Sequence, residues 1–186
     1  YYHTFIEISG TNAEKEKEKF HYALEMEKKC REHYRLPCSL SPHASYSLSP
    51  GLLAAIKKHH EEKPSIYSLH FLETESENNF FAGKPNSLDI SLQRLAIPKT
   101  TLQAQTTLQA IIPFLPEESN ILLVHNIYIS QNDIQLLQSL HKKIFFVLNP
   151  LSNLYIEKRL PDVGMLYSSG IPVTLGTDSL ASNRQI

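Results

Sequence analysis

The chain has 186 residues, 41% of them hydrophobic and 20% charged, with a formal charge of −1. That balance suits one sizeable globular core. Eighteen basic against 19 acidic residues leave no clustered excess for phosphate, so nucleic acid is not an expected partner. The longest apolar runs, such as residues 121–124 and Ile144–Leu148, are strand-sized, so no membrane association is expected. Cys30 and Cys38 match neither a disulfide framework nor a thiolate zinc pattern, and free thiols suit a reducing cytoplasm. The chain opens on a strand-like segment without Met or a signal peptide, which reads as an internal piece of a longer protein.

Residues 5–9 (FIEIS) alternate as a strand does. Thr11 or Asn12 can cap a following helix that runs to about Tyr34, with Phe20, Ala23 and Leu24 on its buried face. Residues 36–41 form a second strand, ending in Ser41-Pro42-His43. Ser49 caps the next helix and Pro50 takes its first turn, where a missing N–H costs nothing. This helix passes Leu52, Leu53 and Ile56 to about Glu62, and the run Lys57-Lys58-His59-His60 reads as its solvated end.

Residues 65–71 (SIYSLHF) form the third strand, followed by a polar helix from Thr74 and an irregular stretch around Gly83-Lys84-Pro85-Asn86. A Gln- and Leu-rich helix is expected over 101–114, an apolar strand over Asn120–His125 and a helix over 131–141. A strand over 143–148 (KIFFVL), a helix over 160–169 stopped by Gly170, and a strand over 171–176 (IPVTLG) complete the pattern. Strands alternating with helices imply an α/β fold around a parallel sheet, and apolar runs such as ILLV and IFFVL predict burial on both faces. A doubly wound sheet and a barrel both fit this alternation.

The chemistry-capable residues fall at strand ends: His43 after the second, His70 and Glu73 after the third, and His125 after the fourth. Asn149 and Asn153 follow the fifth strand, and Asp178 follows the sixth. In parallel α/β folds this edge is where ligands bind. Imidazole and carboxylate together suit zinc or ferrous iron and metal-assisted hydrolysis, with a carboxylate such as Glu73 moving the proton. No Gly-rich phosphate loop occurs, and Ser179 lacks a nucleophile turn.

Five segments then carry a family resemblance. Ser41-Pro42-His43-Ala44-Ser45-Tyr46-Ser47-Leu48-Ser49 resembles the S-P-H-A-P-Y-S-x-S segment of amidohydrolase-superfamily deaminases, and His70-Phe71-Leu72-Glu73 resembles their H-x-x-E. Leu123-Val124-His125-Asn126 is similar to their strand-end histidine, and Asn149-Pro150-Leu151-Ser152-Asn153-Leu154 to their C-P-x-S-N-L. The stretch from Leu175 to Asn183 (LGTDSLASN) is similar to L-G-T-D-S-x-A-S-N. The motifs keep the family order. The chlorohydrolase and deaminase branch, with its S-adenosylhomocysteine, guanine and aminofutalosine deaminases, resembles the chain most.

The resemblance implies a partial (β/α)₈ TIM barrel spanning residues 1–186, with about six of eight strands and without the first two strands and the small β domain. It implies one divalent metal, zinc or else ferrous iron, with His70 and Asp178 as ligands and Asp178 also holding the attacking water. Glu73 would shuttle the proton, His125 would hydrogen-bond the reacting centre, and His43 and Asn153 would contact substrate. The implied reaction is hydrolysis of a C–N bond in a purine-like or other heterocyclic amine. The same site serving chlorohydrolase or amidase chemistry, or a non-catalytic barrel scaffold, are the alternatives. Asn149 and Asn126 stand where the family often has Cys, and Leu151 where Arg is common. The family's His-x-His pair has no counterpart, since His3 is alone and His59-His60 is adjacent. The chain by itself is therefore expected to bind metal weakly or not at all, to be inactive, and to self-associate through its sheet edges, possible homo-oligomers included.

Overall fold

Among the described residues, six parallel strands follow one another in chain order. The computed structural model describes residues 2–182, so Asn183 of the last motif lies outside the described residues. β1 (Thr4–Ile8) pairs with β2 (Cys38–Pro42), Ile6 opposite Leu40. β3 (Ile66–Phe71), β4 (Asn120–His125), β5 (Ile144–Leu148) and β6 (Val173–Leu175) form a second parallel ladder in that order. Between β2 and β3 the ladder is interrupted by serines. Ser39 Oγ donates to the Ile66 carbonyl at 2.6 Å, and the Ser68 N–H donates to Ser41 Oγ at 3.4 Å. The seam closes at its C-terminal end, where the His70 N–H donates to the His43 carbonyl at 2.9 Å.

A doubly wound sheet reverses strand order at a switch point. Here the order is sequential, as in a sector of a barrel. The helices cover one face. Tyr67, Leu69, Phe71, Ile121, Leu123, Phe146 and Leu148 point into one core with Leu52, Leu53, Ile56, Leu108, Ile134, Leu137 and Leu166. Of the alternate positions, Leu122, Phe145 and Val147 are only half-buried while Val124 is buried, so the expectation that these strands are covered on both sides holds only in part.

Asn12 caps a single 3₁₀ turn, Ala13–Lys15, which leads into α1 (Glu16–Glu32). Ser49 and Pro50 open α2 (Pro50–Glu62) as the sequence predicts. The expected solvated end of α2 is instead half core. His60 is 1% exposed, with Nε2 at 2.8 Å from the Leu40 carbonyl and Nδ1 at 3.0 Å from Ser119 Oγ. His59 lies 2.9 Å from the buried Glu27 carboxylate. Both histidines continue the stripe of Leu52, Leu53 and Ile56, and helical period overrides the charge run.

α3 (Ser76–Phe81) is followed by α4 (Ser87–Arg94), a helix capped by Asn86 within the stretch read as irregular. The helix expected over 101–114 shrinks to α5 (Thr107–Ile111), because Thr106 supplies its N-cap, and Pro113 sits in a closing 3₁₀ turn. α6 (Gln131–Ser139) is opened by a capping box between Ser130 and Asp133. Pro150 starts α7 (Pro150–Ile156), a helix that sequence periodicity missed. α8 (Val163–Ser168) begins at its Asp162 cap, not at Leu160, and Gly170 follows it at φ +75°. Among the described residues no helix is long and apolar enough to cross a membrane.

Candidate functional site

The C-terminal ends of the strands gather the polar residues. At the end of β2, His43 donates its N–H to the Ile8 carbonyl, while its ring Nδ1 meets Ser47 Oγ at 2.9 Å. Its ring centroid lies 4.9 Å from that of His70. His70, on the open face of β3, stands 5.1 Å ring to ring from His125 at the end of β4. Glu73 lies between the two imidazoles, 3.9 Å from His70 Nδ1 and 3.5 Å from His125 Nε2. His70, Glu73 and His125 thus each bring a ligand atom within 4.8 Å of the others. Asp178, beyond β6, is outside that trio, with Oδ2 4.0 Å from His125 Nε2.

Local backbone geometry turns these side chains inward. Leu72 (φ +48°), His125 (+78°), Asn126 (+57°) and Asp178 (+61°) all adopt the left-handed region that non-glycine residues avoid. Such backbone clusters where surrounding bonds over-determine it. Asn126 supplies two of those bonds, donating to the Leu123 carbonyl at 2.7 Å and the Val147 carbonyl at 3.3 Å. Gly176 lets β6 pass close to β5, since a Cβ there would sit 2.3 Å from Asn149 Oδ1.

His125 is fully buried, and its Nδ1 meets Asn153 Oδ1 at 2.8 Å. An amide oxygen accepts, so Nδ1 carries a proton, and Nε2 faces the carboxylates of Glu73 and Asp178. That Nε2 is buried and has no hydrogen-bond partner. Asn153 is 1% exposed, with its oxygen engaged by His125 and its Nδ2 buried without a hydrogen-bond partner among the described residues. Ser152, its neighbour on α7, donates to Asp178 Oδ2 at 2.5 Å.

The charges are mutually adjusted. Burial works against ionised Glu73, yet the neighbouring imidazoles of His70 and His125 hold its carboxyl below the usual range. Burial likewise opposes a charged His70, but the adjacent Glu73 carboxylate and the charges of Glu7 and Asp178 push it up. Asp178 is held low, against its burial, by the Ser152 hydroxyl, the Ser179 N–H and His125. Burial, with the charge of His70, lowers His43.

Three contributors escaped the sequence reading. Glu7, on β1, reaches within 3.8 Å of His70 Nε2. With His43 and Tyr46 it lines a cleft of about 620 Å³, whose far wall includes Leu88, Leu92 and Ile97. Ser152, inside the Asn149-Pro150-Leu151-Ser152-Asn153-Leu154 segment, carries no separate signal in the sequence. Glu77 is fully buried and accepts from the backbone N–H groups of Leu72, Glu73 and Thr74 at 3.0, 2.7 and 3.2 Å. Burial pushes its carboxyl up to about 7, against those donors. A signal for Glu77 existed in Thr74-x-x-Glu77, the spacing of a capping box.

Comparison with known proteins follows this geometry. A model described as "Amidohydrolase family" matches residues 3–186. A 5'-deoxyadenosine deaminase of Methanococcus maripaludis is 28% identical over 152 residues, 82% of this chain and 32% of that protein. An adenosine deaminase of Helicobacter pylori is 25% identical over 179 residues, 96% of this chain and 44% of that protein. The crystal structure of Helicobacter pylori aminofutalosine deaminase superimposes with a TM-score of 0.82 at 26% identity, covering 97% of this chain and 45% of that one. The chain spans less than half the length of these relatives.

Proposed function

This chain belongs to the amidohydrolase family, and from that premise we propose that it carries most of the catalytic face of a metal-dependent deaminase. Its fold is the expected partial (β/α)₈ barrel. The substrate class proposed is an amino-substituted heterocycle of the adenine-nucleoside kind, since the relatives bear the names of adenosine and deoxyadenosine deaminases. The observation that carries the reading is the convergence of His70, Glu73 and His125 within 4.8 Å at one strand edge.

The residues fit a divalent ion, zinc by preference. His70 and Asp178 would hold it, an imidazole and a carboxylate being donors that such an ion takes, and the buried His125 Nε2, which has no hydrogen-bond partner, lies 4.0 Å from Asp178. When bound, such an ion polarises the substrate and lowers the pKa of water toward about 7.

The remaining work falls to the protein's own groups. Glu73, ionised by its imidazole neighbours, takes a proton from the attacking water and gives it to the ring nitrogen, then takes the proton of the added hydroxyl and gives it to the amine, which leaves as ammonia as the C–N bond breaks. His125 Nε2, fixed by Asn153, faces the oxygen that adds to the ring. Ser152 orients Asp178. His43 and Glu7, at the mouth of the cleft, meet the polar edge of the substrate. The free thiols of Cys30 and Cys38 suit a cytoplasmic setting.

The test is product analysis with the full-length, zinc-supplied protein and a panel of adenosine, 5'-deoxyadenosine, guanine and a chlorinated triazine. Release of ammonia in step with loss of an aminopurine is expected. Chloride release without ammonia, or no turnover at all, would contradict the assignment.

A further inference from the structure

Glu73 stands at the centre of the site, yet its own oxygens are poorly held. They lie 3.5 and 3.9 Å from the nearest imidazole nitrogens, too long for strong hydrogen bonds. Its position must come through its backbone. That backbone belongs to a turn that leaves β3 with Leu72 in the left-handed region. Three consecutive N–H groups of the turn converge on the two oxygens of Glu77, from Leu72 to Oε2 and from Glu73 and Thr74 to Oε1. Glu77 is 0% exposed. Among the described residues no cation forms an ion pair with it.

Half of a capping box, the bond from the Thr74 N–H, would be enough to tie Glu77 to the start of this segment. The two further bonds reach back into the segment that carries Glu73. Burying a carboxylate without a cation is costly, and backbone N–H groups are its sole compensation here.

We propose that Glu77 is a positioning residue, which fixes the Leu72-Glu73-Thr74 turn and thereby the reach of the Glu73 carboxylate toward His70 and His125. The inference rests on the reading of Glu73 as the proton carrier. Glu77→Gln tests it, because glutamine keeps the volume but sets an amide N–H₂ against a backbone N–H.

In the full-length, zinc-supplied protein, amide exchange at residues 72–74 is expected to quicken at least tenfold in Glu77→Gln while β3 and β4 stay protected. kcat is expected to fall about 10- to 100-fold with zinc content and KM within about twofold. In a Glu73→Gln background the same change should alter kcat by less than about twofold, because its effect passes through Glu73. Unchanged exchange at the three amides, or equal losses in both backgrounds, would overturn the proposal.

Should Glu77→Gln not fold, Glu77→Asp and exchange in the unaltered protein decide. Turn amides that exchange as freely as an open loop in the unaltered protein would also overturn it. Absence of ammonia release from the unaltered protein would instead remove the deaminase reading, and the exchange measurement separates the two.

Discussion

His125 is fully buried and held by a hydrogen bond, 2.8 Å from Nδ1 to Asn153 Oδ1. Removing that acceptor frees the tautomer and the ring orientation together. Asn153→Leu is therefore expected to lower kcat about 10- to 100-fold with little change in KM, read by steady-state kinetics of the full-length protein. An Asn153→Leu protein with raised KM and full kcat would instead mark Asn153 as a substrate contact. At this scale the sequence was informative wherever a polar residue ended an apolar run, as at His43, His70, His125 and Asp178. It was silent on what stands behind them. Asn153 lies 28 residues from His125, and Ser152 lies 26 from Asp178. No periodicity reports such contacts, because the fold alone brings those segments together.

Among the elements, α2 shows how a buried polar group can link parts of the barrel wall. His60 joins the last turn of α2 to the Leu40 carbonyl of β2 and to Ser119 just ahead of β4. Loss of one such side chain leaves buried partners unpaired, at about 1–3 kcal/mol. His60→Ala should lower the Tm of the full-length protein accordingly. Burial depresses the His60 pKa below 6.5, so the folded state resists the proton that the unfolded state takes up. Its contribution is full above pH 6.5 and is lost as pH falls from there toward the folded value. A pH series of thermal melts checks this, because His60→Ala should flatten the slope in that window. The strands were legible to within two residues at either end, since apolar runs bounded by polar residues define them. The helices were less so. α4 and α7 are short, and their starts are set by Asn86 and Pro150 more than by any repeat. The helix expected from Thr101 failed because local capping at Thr106 outweighs composition.

For the molecule as a whole, sequential parallel strands put every candidate residue on one rim and the helix-packed core behind it. The barrel sector was legible from alternation and motif order. Its open face was not, because apolar strand residues read alike whether helices or a concave interior face them. The central claim is that this rim works as a proton-transferring hydrolytic site with Glu73 at its centre. The most direct test compares ammonia release by unaltered and Glu73→Gln full-length proteins at matched zinc content. A fall in kcat of about 10²- to 10⁴-fold, with zinc retained, is the predicted result. Deamination by Glu73→Gln at the unaltered rate would contradict it.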